Sequence, residues 1–393
     1  GNNQGILTTT GLNKTITGNI GSSTSLDLNT LNIGSDTDAT NYSTTTINGN
    51  VFANSTVLNN NGTTNSSELI LASGKNITST ITTADANMGI LTLAGGTQTV
   101  TGTVGGVGAS LEKVSSGATG ATSTFVNNVY ANTVENTGTG ATTFQDNVVA
   151  TNVNVNAGTS TFQDNLTATT TTISTGTGNF NTVSGTTTSN LEFAGNGTAN
   201  LNTGLTGNVT TTADNKGTLN LVGSNNQTVT GTVGGVGASL AEVNAGVNGS
   251  TSTFANDVYA TNLDVEGTGT VNLDGNFTGT AIRYNADGTV ILADTKNINS
   301  AITTAVDNTG TLSLEGSSTV TGQVGASGAS LKEINAGVAG STSTFNSNVY
   351  ASNLNMTGTG TVILNSDLTG NVVATGNNQG ILTTTGLNKT ITG

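Results

Sequence analysis

The chain has 393 residues, of which 33% are hydrophobic, 4% aromatic and 8% charged, and it lacks cysteine, proline, tryptophan and histidine. So few apolar residues exclude a thick globular core, and so few charges with no proline are atypical of a disordered chain. A net charge of −14 with eight scattered basic residues argues against binding to nucleic acid or anionic membranes, and the missing histidine and cysteine close the common triad and zinc chemistries.

The first predicted elements along the chain are short strands. Lines of alternating apolar residues follow Asn-x-Gly around Gly5, Gly89, Gly217, Gly310 and Gly380. Alternation places one side chain inward and the next outward, and Gly, Asn and Asp between the runs are residues that favour turns. The pattern indicates an all-β chain.

A second element, GASL, occurs three times, beginning at Gly108, Gly237 and Gly328. Its serine can cap a helix, and the leucine is followed three residues later by Val or Ile, which is a helical spacing. We therefore expect short helical turns that loop out of the strands and contact a partner. The residues predicted to make this contact are Ser110, Leu111, Ser239, Leu240, Ser330 and Leu331.

The spacing of the repeats gives the length of one structural unit. The GASL leucines Leu111 and Leu240 stand further apart than Leu240 and Leu331, because the first interval contains additional sequence. That sequence holds FQDN twice and FNTV once, so that Phe144, Phe162 and Phe180 follow Phe125 at nearly equal intervals, and the excess equals two such intervals. Insertion of whole units is what a solenoid tolerates, so we predict a parallel β-helix of about 18–19 residues per coil.

The repeat extends to the ends of the sequence. Residues 376–393 are identical to residues 1–18, giving a period of 375 residues. We predict that residues 1–393 form one continuous β-solenoid whose coils stack on further coils, end to end between molecules or within a longer chain. The first residue is Gly1 and no signal peptide is visible, which indicates a segment of a longer or processed protein. No apolar run is long enough for a membrane-spanning helix.

Carboxylates are the only candidates for chemistry. Asp146 and Asp164 form an acidic pair at one-coil spacing, which we interpret as solvated turn residues; a bridging calcium ion is the alternative, and acid/base cleavage of polysaccharide a third. Asp36 and Asp38 resemble half of a calcium loop. We assign no catalytic residue and no cofactor beyond that calcium alternative.

Three further features have simple interpretations. We expect the acidic stretch to be a solvated face; it contains Asp264, Glu266, Asp274 and Asp287. The tyrosines that recur in register are interpreted as half-buried strand residues, with exposed sugar-binding or protein-binding patches as the alternative; they are Tyr130, Tyr259 and Tyr350. The alternating threonines recur once per long repeat, at Thr99, Thr101 and Thr103 and again at Thr228, Thr230 and Thr232, which predicts no extended threonine array for binding ice.

The segments GTVGGVGASL, TSTF and NVYA, with LTLAGGTQTVTGTV and GTGTVNLDGNFTG, resemble the passenger repeats of alphaproteobacterial autotransporter surface proteins, especially the rickettsial outer-membrane surface antigens. The resemblance spans most of the chain. It implies export to the bacterial cell surface and a long β-helical passenger that serves in adhesion or as a coat.

Together these observations predict a structural protein without enzymatic activity, forming an extracellular filament, stalk or surface coat. The alternative is an adhesin that binds a host or neighbouring cell through the GASL loops. The expected partners are further copies of the same coil stack and, for the adhesin, a cell surface.

Overall fold

The computed structural model describes residues 3–22, 27–35, 42–60 and 65–393. Every regular element in these ranges is a β-strand, and the ladders that pair strands of successive coils are parallel. The chain divides into two compact units, Gly1–Glu192 with Gly197–Ala199 and Phe193–Asn196 with Asn200–Gly393. The predicted parallel β-solenoid is confirmed within each unit; its continuity over the whole chain stays a prediction.

The strands of the first unit are short, and most alternate between a four-residue strand and a longer one. They are β1 Ile6–Thr9, β2 Gly11–Ile16, β3 Leu28–Ile33, β4 Ser43–Ile47, β5 Val51–Leu58, β6 Glu68–Leu71, β7 Ile77–Thr83, β8 Ile90–Leu93, β9 Thr97–Val100, β10 Leu111–Ser116, β11 Thr122–Phe125, β12 Val129–Asn136, β13 Ala141–Phe144, β14 Val148–Val155, β15 Thr159–Phe162, β16 Leu166–Ile173 and β17 Thr177–Phe180. Residues of β18 Thr187–Phe193 and β19 Thr198–Leu201 are divided between the two units.

The second unit is built in the same way. Its strands are β20 Leu205–Thr206, β21 Val209–Thr211, β22 Lys216–Leu221, β23 Gln227–Val229, β24 Leu240–Ala245, β25 Thr251–Phe254, β26 Val258–Val265, β27 Thr270–Leu273, β28 Phe277–Tyr284, β29 Thr289–Leu292, β30 Asn297–Thr304, β31 Thr311–Leu314, β32 Ser318–Val320, β33 Leu331–Ala336, β34 Thr342–Phe345, β35 Val349–Met356, β36 Thr361–Leu364, β37 Leu368–Ala374, β38 Ile381–Thr384 and β39 Ile391–Thr392.

Each regular coil has three straight segments. In the coil that begins at β11, the first segment is β11 itself. The other two segments are the two halves of β12, which bends at Asn132, the residue that is skipped in the pairing of β12 with β14. Alternation then turns two side chains of every segment inward. The six inward side chains of this coil are all buried; they belong to Ser123, Phe125, Val129, Ala131, Val134 and Asn136.

Stacked phenylalanines form the core behind the first segment. Phe125, Phe144, Phe162 and Phe180 pair in register from coil to coil. Their ring centroids are 5.1, 5.1 and 5.4 Å apart and the planes diverge by no more than 11°. The phenylalanine spacing read from the sequence is therefore the true coil length in this region.

Asparagines occupy the corner between the first and second segments. Asn147 donates through Nδ2 to Oδ1 of Asn128 at 2.9 Å, and Asn165 donates to Oδ1 of Asn147 at 2.6 Å. Each asparagine thus donates a hydrogen bond to the asparagine of the preceding coil, at a turn where polar groups have no partner in a neighbouring strand. Polar corners need no additional apolar core, which suits a chain with so few hydrophobic residues.

Two expectations from the sequence are corrected. The predicted coil length does not hold throughout: Val100 pairs with Phe125 and Val320 with Phe345, and each of these coils is longer because a GASL loop lies within it. The predicted short helical turns are wrong, since no described residue is helical.

The helical spacing has another cause. In β10, Leu111 pairs with Ala131 and Lys113 with Thr133, so the pairing passes over a bend at Glu112. Leu111 and Val114 point inward from two segments on either side of this bend and are both fully buried. Two inward positions across a bend are three residues apart, as they would be on one face of a helix.

Candidate binding surface

The GASL loops are β-hairpins. In the first copy, the amide of Gly106 donates to the carbonyl of Ala109 at 3.0 Å and the amide of Ala109 to the carbonyl of Gly106 at 3.1 Å. Val107 and Gly108 are the two central residues, and Gly108 has a φ of 76°, which a type II turn requires at its third position. Equivalent bonds of 3.0 Å close the hairpins Gly235 to Ala238 and Ala326 to Ala329.

The predicted contact serines hold these hairpins to the preceding coil. Ser110 donates to Oδ1 of Asn87 at 2.9 Å. In the other two copies, the serine amides donate to aspartates, Ser239 to Asp214 at 2.9 Å and Ser330 to Asp307 at 2.8 Å, and the serine hydroxyls donate to the same Oδ1 atoms.

These bonds also affect the titration of the two aspartates. The serine hydroxyl, followed by the serine amide, holds the pKa of Asp214 below its ordinary value, and the same arrangement lowers the pKa of Asp307. Both hydrogen bonds favour the charged carboxylate, which is why the shifts are downward.

The predicted contact leucines lie in the core. Leu111, Leu240 and Leu331 are fully buried, so they cannot meet a partner while the coil is folded. The exposed apolar residue is at the hairpin tip: Val107 is 89% and Val236 90% exposed. The sequence analysis missed these valines, although an apolar residue flanked by glycines, Gly-Val-Gly, was a visible indication of an exposed turn.

A shallow groove lies beside the first hairpin. It has a volume of about 500 Å³ and is lined by the hairpin, by Tyr130 and by Val149 of the next coil, which is 40% exposed. The matching groove beside the second hairpin is about 230 Å³, and there Thr278 of the next coil lies opposite Tyr259. The first groove is therefore the larger of the two, and it has a valine where the second has a threonine.

The tyrosines are half-buried, as the sequence predicted. In the second unit, however, they are not in register. Val258, which precedes Tyr259, stacks in the column of Phe277, Ile298, Val320 and Phe345. Val349, which precedes Tyr350, stacks on Val324 and Ile302 in the neighbouring column. The repeat from Tyr259 to Tyr350 is thus four coils plus one segment, and the second and third hairpins lie on different sides of the coil stack.

Asp146 and Asp164 occupy corresponding corners of adjacent coils. Oδ1 of Asp146 accepts hydrogen bonds from the amide and the side chain of Asn147, at 2.8 and 2.7 Å, and Asp164 accepts one from Asn165 at 3.2 Å. In the part of the chain that the structure describes, no three His, Cys, Asp or Glu side chains cluster as metal ligands. Asp36 and Asp38 lie outside the described residues.

The acidic stretch is not uniformly solvated. Asp264 is only 3% exposed and pairs with the guanidinium of Arg283, which also lies 3.4 Å from Glu242. Burial, and then the neighbouring Asp264 carboxylate, raise the pKa of Glu242. Asp287 is exposed and pairs with Lys332 at 2.7 Å. Asp264 is therefore part of an ion-pair cluster and departs from the predicted solvated face.

No protein-family model, curated protein or solved structure matches this chain. Among the described residues, no helix exists that could cross a membrane.

Proposed function

We propose that this chain is a structural, coil-stacking segment of an extracellular filament, stalk or coat on a bacterial cell surface. The resemblance of its repeats to autotransporter passengers supports the location. In this proposal the protein acts through the surface of its coils and not through catalysis.

The observation that carries the proposal is the segment 1–18, which recurs as 376–393. Its first copy forms β1, which pairs with the later coil, Leu7 opposite the buried Leu31. Its second copy forms β38, which pairs with the earlier coil, Leu382 opposite the buried Val362. The same sequence thus pairs through both edges of its strand, as an internal coil of a tandem stack must.

A tandem chain tests this argument. We would place a second copy of residues 19–393 after residue 393 and compare Leu382→Ala in the single and tandem chains by urea unfolding. If the central coil is covered on both edges, the substitution costs about 2–5 kcal/mol there and clearly less in the single chain. Equal costs would show that coils do not stack through the seam.

The location needs a separate test in the source cells. Antibodies against the hairpins should label intact, unpermeabilised cells, and external protease should remove the epitope. Labelling only after permeabilisation would contradict an extracellular role and leave the stacking result unaffected.

Adhesion is the second candidate, favoured by the exposed hairpin valines. The third copy has Ser327 at the corresponding position, so Val107→Ser and Val236→Ser should preserve the turn. If the hairpins bind another cell, this double variant should lose attachment while its circular dichroism remains unchanged. Undiminished attachment would remove the hairpins from the argument.

A further inference from the structure

One outward face of the first unit is almost entirely threonine. The first segments of five successive coils, β9, β11, β13, β15 and β17, pair in register and each turns two residues outward. We call these ten residues the threonine face: Thr97 and Thr99, Thr122 and Thr124, Ala141 and Thr143, Thr159 and Thr161, Thr177 and Asn179.

The threonine face is not a simple result of composition. The outward residues of the second and third segments in the same coils are mixed, as in the columns Tyr130, Val149 and Thr167, and Glu135, Asn154 and Thr172. The sequence analysis predicted no extended array because it followed threonines along one strand. That expectation is wrong, since the array runs across coils.

The interior makes this face regular. The phenylalanine column lies directly behind it, because Phe125 follows Thr124 on the opposite side of the same strand. Nearly parallel rings hold the coils at even spacing, and none of the four ladders that join the five strands shows a register shift. The face is therefore backed by a close-packed, in-register core.

Its chemistry is that of paired methyl and hydroxyl groups. Within the described ranges, the hydroxyls of Thr124 and Thr143 have no protein partner, and that of Thr161 accepts a single bond from Asn179 at 3.3 Å. The ten positions contain no charged and no aromatic residue. The hydroxyls can hydrogen-bond to ordered water molecules. The methyl groups between them restrict the orientations of the water molecules next to them.

We propose that the threonine face binds ice. Threonines repeat about every 4.8 Å between coils and, two residues apart along a strand, about every 6.6 Å. Oxygen atoms on the prism faces of hexagonal ice repeat at similar distances in two perpendicular directions. A rigid array with this spacing can hold a layer of water that fits the crystal, with little further ordering on binding.

A crystalline polysaccharide is the competing flat partner, and the face fits it less well. Sugar rings pack their C–H groups on exposed aromatic side chains, and no position of this face is aromatic. The proposal is independent of the structural role proposed above, since a surface filament can have or lack an ice-binding face.

The experiment compares three forms of the full chain by partition into slowly growing ice and by thermal hysteresis. The face variant is Thr124→Lys with Thr143→Lys, because a lysine keeps its own hydration shell and stands above the flat surface. The matched control is Thr167→Lys with Thr169→Lys, two exposed threonines of β16 outside the threonine face. Circular dichroism checks that all three forms are folded.

The parent and the control should enter the ice, and the face variant should lose roughly tenfold or more in affinity for ice, about 1.4 kcal/mol per tenfold. Equal partition of all three, or no partition of the parent, would overturn the proposal. So would binding to crystalline cellulose or chitin, lost in the face variant, without binding to ice. If the lysine variant does not fold, Thr124→Ser with Thr143→Ser removes only the methyl groups and should also weaken ice binding.

Discussion

Phe144 offers a sharp test of the core, because it stacks on a phenylalanine on each side. Both ring centroids lie at 5.1 Å, and Phe144 is 2% exposed. Phe144→Leu keeps most of the buried volume and removes two aromatic contacts, each worth about 0.5–1.5 kcal/mol, so we expect a cost of about 1–3 kcal/mol. Phe125→Leu removes one such contact and should cost about half, because its other neighbour is Val100.

Hydrogen exchange of the intact chain, followed by mass spectrometry, is the suitable assay because a stack of coils opens locally. For Phe144→Leu, protection should fall most in β13 and in its two neighbours, β11 and β15, by roughly tenfold for every 1.4 kcal/mol. Strand β29, in the second unit, is the internal reference and should not change. Equal costs for the two variants would refute the additive stacking argument, and an equal loss of protection in β29 would refute the local nature of coil stability.

The remaining predictions concern charge. Ser239→Ala should raise the pKa of Asp214 towards its ordinary value, as measured by NMR of the carboxyl carbon; an unchanged pKa would reject the hydroxyl as the cause. A carboxyl pKa that is lower in the folded chain than the unfolded value of about 3.9 stabilises the fold above that value, and this contribution is lost as the pH falls through the folded pKa. Because the Ser239→Ala variant lacks the contribution, it should begin to unfold at a higher pH than the parent. Arg283→Gln leaves the nearly buried Asp264 without its partner and should cost about 2 kcal/mol, measured by hydrogen exchange of β26 and β28; the cost is less than for a fully buried pair because the guanidinium is partly exposed. Lys332→Gln breaks an exposed, solvent-screened pair and should lower stability clearly less than Arg283→Gln does; equal losses for the two substitutions would contradict the role given to burial.

The solenoid could be predicted from the sequence because its core residues recur at a nearly constant spacing. Alternation identified strands, and the phenylalanine spacing gave the coil length wherever no loop interrupts it, as between Phe125 and Phe180. The bend in β10 could not be recognised in the same way, because a bend in a strand and a turn of helix both place apolar residues three apart. Leu111 and Val114 fit either interpretation until the pairing of β10 with β12 is known.

The surface was harder to predict than the core. Outward residues face solvent in every coil, so no periodic pattern of apolar residues identifies them in the sequence. Which outward residues of adjacent coils become neighbours depends on the register of the strand pairing. The chain between Thr99 and Thr124 is longer than the chain between Thr143 and Thr161, yet all four threonines stand in one column. Loops of different length within the coils hide this column from any search at a fixed spacing. The exposed Val107 was missed for a related reason, since its hairpin adds residues without adding a core position.

The repeat that relates the second hairpin to the third shows why sequence repeats and surface repeats must be treated separately. Because this repeat is four coils plus one segment, equivalent residues such as Tyr259 and Tyr350 lie on different sides of the stack. Repeating the motif therefore distributes hairpins around the stack and cannot by itself build one uniform face. A uniform face needs residues that repeat once per coil, and in the first unit the coils of Phe144 and Phe162 supply three of the eight threonines on the threonine face. Whole coils thus lengthen the threonine face within the first unit, because each of them places its outward residues in the same columns.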